Sequence, residues 1–189
     1  AFAAEPIEEN LAHTEAILPR KTVLELARQL ADSDDPLEIQ LGGNQVIFRF
    51  ASVELVSKLI DGKFPDYERV IPKNHPKLLT IPRITLLQSL ERAAILTNEK
   101  FRGVRTVLAD GSLKIIAANA EQEEAVEEIE VDYTGEALDV GFNVTYLLDL
   151  LRNVSAENVE CRLNDSNSSA LFTLPGNEGF KYVVMPMRI

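Results

Sequence analysis

The stretch VLELARQL (Val23–Leu30) has a counterpart 124 residues further along the chain, LLDLLRNV (Leu147–Val154). Acidic, amide and apolar positions coincide in the two stretches, and Arg28 matches Arg152. Apolar residues recur in both at the three- and four-residue spacing of a helix that is buried along one side. A fixed period indicates a repeated structural unit, which should be sought before any fold is assigned.

Neighbouring segments extend the repeat beyond the helix. Leu37–Leu41 aligns with Val159–Leu163 after a two-residue gap, and Val46–Phe50 aligns with Ala170–Leu174 at the original offset. A fainter third copy begins at PRIT (Pro82–Thr85), which resembles PRKT (Pro19–Thr22) before the first helix. It continues through a second helical pattern at Leu86–Leu96 and a hairpin at Val107–Ile116.

The repeat predicts three copies of roughly 60 residues, each running strand, helix, strand, strand, strand. Hairpin turns at Gly42-Gly43, Asp110-Gly111 and Asn164–Ser166 favour antiparallel pairing, so the predicted class is α+β. One copy cannot cover both its helix and its sheet, whereas two copies packed together can. We therefore expect residues 67–189 to form a complete domain and residues 1–66 an orphan half-domain, joined through 61–66. With no initiator Met and a strand already in progress at 1–7, the chain is expected to be a fragment.

Each predicted helix has a polar side that carries basic residues. At 100° per residue the apolar side of the first helix comprises Val23, Leu26, Ala27 and Leu30. The second uses Leu86, Leu87, Leu90, Ala93 and Ala94, and the third uses Leu147, Leu150, Leu151 and Val154. The opposite faces carry Arg20, Lys21, Arg28, Arg92 and Arg152. An arginine on a solvated face is ordinary, but its recurrence at matched positions in an acidic chain suggests a locally basic surface for phosphates.

Two further features permit more than one interpretation. Ile95 is a large apolar residue on a polar helix face beside Leu96, so it is either an isolated surface residue or part of a subunit contact. Residues 121–130 carry six carboxylates, among them Glu121, Glu123 and Glu127. Alternation there predicts a charged edge strand, which resists promiscuous pairing or matches a basic partner.

Composition excludes several classes of protein. The 46% hydrophobic content supports a buried core, and no apolar run approaches the roughly 20 residues of a membrane helix. Cys161 is predicted to be a buried core residue, because a single cysteine forms no internal disulfide. The net charge of -11 argues against nucleic acid unless the basic residues are clustered. No nucleophile motif, phosphate loop or metal-ligand spacing is present, so we predict no enzyme activity, no cofactor and no metal.

Four stretches carry a family resemblance: SKLIDGKFPDY (57–67), NEKFRGVR (98–105), ANAEQEEA (118–125) and YVVMPMRI (182–189). Together they resemble the bacterial DNA sliding clamp, the beta subunit of the replicative polymerase, and the resemblance covers the whole chain. Clamps of this family have three domains of two half-domains each, and two chains close head to tail into a ring. The usual last residue is Leu, whereas this chain has Ile189.

The resemblance implies three surfaces. The first is an inner wall where Arg20, Lys21, Arg28, Arg92 and Arg152 approach the backbone of duplex DNA without reading bases. The second is a homodimer seam formed by Ile95, Leu96, Glu121, Glu123 and Glu127. The third is a pocket for short hydrophobic motifs of polymerases, the clamp loader and repair polymerases, and its expected residues are Pro65, Arg69, Val70, Asn167, Ser169, Val183, Val184, Met185, Pro186, Met187, Arg188 and Ile189.

Physical chemistry supports the pocket only in part. Pro186 cannot donate to a sheet ladder, and methionines give an adaptable surface, but Val183 and Val184 equally fit a final core strand. The resemblance also implies a cytoplasmic, nucleoid-associated processivity factor whose fragment cannot close a ring and has an incomplete pocket. The alternatives are a protein-interaction module without a DNA role and, on the acidic run alone, a metal-dependent enzyme.

Overall fold

The computed structural model describes residues 1–7, 11–30 and 36–189. Its elements repeat one order, strand, helix and three strands, which confirms the predicted α+β repeat. The first copy comprises β1 (Phe2–Ala3), α1 (Arg20–Leu30), β2 (Glu38–Gly42), β3 (Gln45–Phe50) and β4 (Val53–Lys58). The second comprises β5 (Lys77–Pro82), α2 (Arg83–Ile95), β6 (Gly103–Ala109), β7 (Ser112–Ala118) and β8 (Glu124–Glu130), after a 3-10 turn at Tyr67–Arg69. The third comprises β9 (Leu138–Asn143), α3 (Val144–Arg152), β10 (Asn158–Leu163), β11 (Ala170–Leu174) and β12 (Asn177–Val184).

The second and third copies exchange their first strands. The sheet order β8-β7-β6-β9 places the first strand of the third copy beside the second copy. The order β1-β12-β11-β10-β5 places the first strand of the second copy beside the third, and it adds β1 at the other edge. All described pairings are antiparallel, as the hairpin turns predicted. Because each sheet needs a strand from the other copy, neither of these two copies completes its sheet alone.

The chain divides into two compact units. The larger unit contains residues 1–6 and 67–189, and the smaller unit contains residues 7–66. No helix among the described residues is long and apolar enough to span a membrane.

In the larger unit, α2 and α3 pack against each other and against the inner faces of both sheets. Leu90 and Leu150 from the helices meet Leu79, Ile115 and Val159 from the strands, and all five are almost fully buried. The Asn143 side chain accepts a 2.9 Å bond from the Thr145 N–H and caps the start of α3. At the other end of α3, Arg83 donates to the carbonyl of Leu151, in the last turn where helix carbonyls lack partners, and to the carbonyl of Ala156 beyond the helix.

Cys161 lies in this core, as predicted from its place in an apolar strand. Burial raises the pKa of its thiol to about 12, so the group stays protonated at neutral pH. The predicted core residues of α2 and α3 are likewise buried or half-buried.

The smaller unit buries far less. Its described core consists of Leu26, Val46, Phe48 and Phe50, with Leu18, Leu30, Leu55 and Leu59 partly buried around it. The predicted apolar side of α1 was wrong at Val23, which is 47% exposed, and at Ala27, which is also exposed. Leu26 faces the sheet as predicted, the buried Thr22 lies on the same side one turn earlier, and the Thr22 and Ser57 hydroxyls lie 2.6 Å apart. Since α1 packs on one sheet with no second helix of its unit described, it buries only a narrow line of side chains.

Candidate functional surfaces

Arg28, Arg92 and Arg152 are exposed, but each is paired with a carboxylate of its own unit. Arg28 donates to Glu25 one turn earlier at 2.6 Å. Arg152 on α3 donates to Glu91 on α2 at 2.9 Å. Arg20 and Lys21, at the start of α1, are exposed. Exposed ion pairs of this kind stabilise a fold only weakly, so a phosphate can displace the carboxylate at small cost.

Arg92 makes the most extensive of these pairs. Its guanidinium donates to both carboxylate oxygens of Glu127 on β8, at 2.8 and 2.5 Å, and to the Ser89 hydroxyl at 3.1 Å. The hydrogen bond from Arg92 holds the pKa of the Glu127 carboxyl below its ordinary value, and Glu127 in turn raises the pKa of Arg92. The sequence suggested these two residues for different surfaces, but the fold joins them across α2 and β8.

The predicted edge strand is present, because β8 is the outer strand of its sheet. The turn before it is fixed by Asn119, whose side-chain oxygen accepts bonds from the backbone N–H groups of Glu121 and Glu123 at 3.0 Å each. Both glutamates are exposed, whereas the Glu127 side chain is only 22% exposed. Of the three glutamates expected at a subunit contact, Glu121 and Glu123 are therefore more accessible than Glu127.

The end of α2 presents apolar side chains beside this strand. Ile95 lies one turn after Arg92 and is 77% exposed, while Leu96 is half-buried. Phe101 is 57% exposed, with the Lys100 ammonium 5.4 Å from its ring centre. The exposure of Phe101 was missed in the sequence, where an aromatic in a short loop gives no periodic signal. Ile95 and Phe101 are therefore exposed apolar side chains in the same unit as the acidic strand β8.

The C-terminal residues leave the sheet after Val184, as Pro186 predicted. The Val184 side chain lies in the core, so it is not available to a ligand, whereas Val183 on the opposite face is half-buried. Met185 is 67% exposed and Met187 is half-buried. The Met187 N–H donates to the carbonyl of Gly141 at 2.8 Å and so joins the tail to β9.

Loops of the larger unit that were expected near the tail are ordered by local bonds. The Asp165 carboxylate accepts bonds from the N–H groups of Asn167 and Ser168, and these bonds lower the pKa of Asp165. His75 Nε2 donates to the Ser169 carbonyl at 2.8 Å. Val70, immediately after the 3-10 turn that contains Arg69, is 58% exposed. Pro65 belongs to the smaller unit.

Two tyrosines near the tail were also missed in the sequence. Burial raises the pKa of Tyr182 on β12, and Asp149 and Tyr146 on α3 raise it further. Tyr146 itself is 54% exposed. Its only sequence signal is an aromatic ring on the polar side of an amphipathic helix.

Comparison with known proteins agrees with this architecture. The family model described as DNA polymerase III beta subunit, C-terminal domain, matches residues 68–188, and the central-domain model of the same subunit matches residues 1–66. The beta sliding clamp of Pseudomonas putida is 52% identical over 97% of this chain, and that of Escherichia coli K12 is 46% identical over 100%. The crystal structure of the Caulobacter crescentus beta sliding clamp matches 99% of this chain and 50% of that chain, with a TM-score of 0.93 at 37% identity.

The chain belongs to the beta sliding clamp family. It spans about half the length of the curated relatives that it matches, 50% of the Pseudomonas protein and 52% of the Escherichia protein. The α+β clamp fold is therefore shared with solved sliding clamps. No group of three or more metal-binding side chains occurs within residues 1–7, 11–30 and 36–189, so the acidic run offers no metal cluster there.

Proposed function

We propose that this chain works as part of a ring-shaped processivity factor that encircles duplex DNA and tethers polymerases to it. The observation that carries the proposal is similarity to beta sliding clamps along the whole chain. Topological linkage needs no base contacts, so an acidic protein can hold DNA if its basic residues line the ring. In this proposal Arg20, Lys21, Arg28, Arg92 and Arg152 approach the DNA backbone.

The chain would supply one and a half domains of the ring. We propose that residues 1–66 are the C-terminal half of a middle domain and that residues 67–189 are a complete C-terminal domain. The homodimer seam would use Ile95 and Leu96 as its apolar part, with Glu121, Glu123 and Glu127 as its charged edge. This chain alone should not close a ring, and the protein should have no catalytic activity or cofactor and should work in the bacterial cytoplasm.

We further propose that the C-terminal tail forms the binding site for short hydrophobic peptides of polymerases and clamp loaders. The exposed side chains of Met185 and Val70 and the half-buried side chain of Val183 support this, because accessible apolar groups on one unit favour a partner. Arg69, Asn167, Ser169, Pro186, Met187, Arg188, Ile189 and Pro65 complete the proposed set. Val184 is left out because its side chain is buried.

Loading onto circular DNA tests the ring. Full-length protein containing this chain, loaded on nicked circles by its clamp loader, should remain bound through gel filtration and should be lost when the circle is linearised. Equal retention on linear and circular DNA would contradict topological linkage.

A peptide carrying a clamp-binding motif tests the pocket separately. The full-length protein should bind it, and Met187→Ala combined with Pro186→Ala should weaken binding at least tenfold, about 1.4 kcal/mol. The matched control is Val56→Ala, an exposed apolar residue of the smaller unit. Unchanged binding in the double variant would remove the tail from the site.

A protein-interaction module without a DNA role is the second candidate. It is favoured by the net charge of -11 and by the pairing of Arg28, Arg92 and Arg152 with carboxylates. The two candidates separate in the loading experiment, because a module of this kind would bind the peptide but would not be retained on circles.

A further inference from the structure

The tail passes from one sheet of the larger unit to the other. β12 belongs to the five-stranded sheet, whereas the bond from the Met187 N–H ends on Gly141 of β9, an edge strand of the four-stranded sheet. Pro186 stands between them and has no N–H to donate to either ladder. Beyond the end of β12, this single backbone bridge is what joins the tail to β9.

Gly141 leaves room for this bridge because it has no side chain. A Cβ built on Gly141 would lie 2.5 Å from the Met187 carbonyl oxygen and 2.7 Å from two side-chain carbons of Ile189. The first of these atoms is backbone and cannot rotate away while the Met187 bond to Gly141 is kept. The φ angle of Gly141 is not positive, so the glycine is required by space and not by backbone conformation.

Gly103, on the neighbouring strand β6, leaves space for the same two tail residues, Met187 and Ile189. A Cβ there would lie 3.2 Å from Ile189 Cδ1 and 3.6 Å from Met187 Cε. Both atoms are ends of flexible side chains, which can move by a few tenths of an ångström at low cost. A side chain at Gly103 should therefore disturb the tail less than one at Gly141.

We propose that Gly141 is a positioning residue of the peptide-binding site: its bare backbone seats Met187 and thereby orients both tail methionines toward the partner. We call the space over Gly141 and Gly103 that Met187 and Ile189 occupy the seat of the tail, and Gly103 bounds this seat less tightly than Gly141. Gly141 acts through the tail and contacts no peptide in this arrangement. The inference rests on the peptide-binding function proposed for the tail.

The chain offers a direct probe, because its only two methionines, Met185 and Met187, both lie in the tail. Selective ¹³C-methyl labelling of methionine in this chain gives one signal for each, without any peptide present, and peptide binding is measured on the full-length protein that contains the chain. We would compare Gly141→Ala and Gly103→Ala with Gly42→Ala as the matched control. Gly42 is also a strand glycine without a positive φ, and a Cβ there meets nothing within 4 Å.

We expect Gly141→Ala to move the Met187 methyl signal to the position and line width of an unfolded chain and to weaken peptide binding at least tenfold. Gly103→Ala should shift the Met187 signal slightly and weaken binding less than threefold, and Gly42→Ala should change neither. If Gly141→Ala does not fold, Gly103→Val, which crowds the same seat through side chains alone, should displace the Met187 signal in the folded protein.

An unchanged Met187 signal in a folded Gly141→Ala protein, or in Gly103→Val where that is the variant that folds, would overturn the inference. A displaced signal with undiminished peptide affinity would also overturn it, since the seat would then not orient the site. If the signal moves as expected but the wild-type full-length protein binds no peptide, the proposed function fails while the seating of the tail by Gly141 stands.

Discussion

The two units contain the same repeated element, but its helix packs against different neighbours in each. In the larger unit, α2 and α3 cover each other and two sheets, so residues on several sides of both helices are buried. In the smaller unit, α1 lies on one three-stranded sheet, and only Thr22 and Leu26 are buried along it. Burial in this fold therefore depends on how many copies pack together and not on the apolar pattern of one helix.

Strand β2, at the edge of the three-stranded sheet in the smaller unit, shows the same dependence of burial on packing. Ile39 and Leu41 on β2 pair with Phe48 and Val46 on β3 and so lie on the side of the sheet that α1 covers. Phe48 and Val46 are buried, yet Ile39 is 56% exposed and Leu41 is 43% exposed. An inward-facing apolar pair left in solvent is what a single copy should show if a second copy normally covers it.

Thiol reactivity should show the largest contrast between folded and unfolded chains. With a pKa of about 12, Cys161 has a thiolate fraction of about one in ten thousand at pH 8. We expect alkylation by iodoacetamide to be at least about a thousandfold slower in the native protein than in urea. Mass spectrometry over time measures the rate, and rapid native labelling would mean that the two-copy core is open.

The same truncation in α2 and α1 should differ in cost. Leu90→Ala removes a side chain with 0% exposure and should lower the free energy of unfolding by about 2–5 kcal/mol. Leu26→Ala, at the margin of the small core, should cost clearly less, and Leu24→Ala, 53% exposed, should stay within about 0.5 kcal/mol. Urea denaturation followed by circular dichroism compares the three, and equal costs for Leu90 and Leu26 would remove the distinction between the units.

Self-association should arise from the uncovered side of the smaller sheet. We expect the chain to associate at high concentration, and Ile39→Lys with Leu41→Lys should raise the dissociation constant at least tenfold, about 1.4 kcal/mol. Val56→Lys is the control, because Val56 is 51% exposed on the opposite face of the same sheet. Light scattering that finds a monomer at all concentrations, or an equal effect of the control, would contradict this assignment.

The smallest effect concerns the Arg92–Glu127 pair. The folded-state pKa of Glu127 is lowered, so the pair stabilises the fold above the ordinary pKa of glutamate, about 4.3, and this contribution is lost as pH falls through the folded value. Glu127→Gln should cost about 0.2–1 kcal/mol at pH 7, and this cost should shrink as the pH is lowered below about 4.3. Thermal unfolding across this range checks the sign, and a cost that grows toward acid would contradict it.

The repeated order of elements was predictable because it depends on local patterns. Apolar spacing marked α2 and α3, Asp110-Gly111 marked the β6–β7 turn, and the strand context of Cys161 marked its burial. The failure at Val23 and Ala27 has a non-local cause, since the buried side of α1 depends on what packs against it. The apolar periodicity of one helix contains no information about the elements that pack against it.

The functional surfaces were predictable only as sets of residues. Long-range partners were not, because the approach of Arg92 to Glu127 and the exchange of β5 and β9 join residues far apart in sequence. Gly141 gave no signal at all, since a glycine within a strand has several common explanations until the backbone passing over it is known. The long-range partners and the need for a glycine at position 141 both depend on how whole copies pack together.

Cross-linking to DNA tests the central claim most directly, namely that equivalent helices of the copies turn matched arginines toward one duplex. A photoreactive amino acid would replace Arg28, Arg152 or, as control, Arg105, which lies on the outer face of β6 and bonds to Asp139. In full-length protein loaded on nicked circles, we predict cross-links from positions 28 and 152 and none from 105. Normal loading without cross-links at 28 and 152, or with equal cross-linking at 105, would contradict the account.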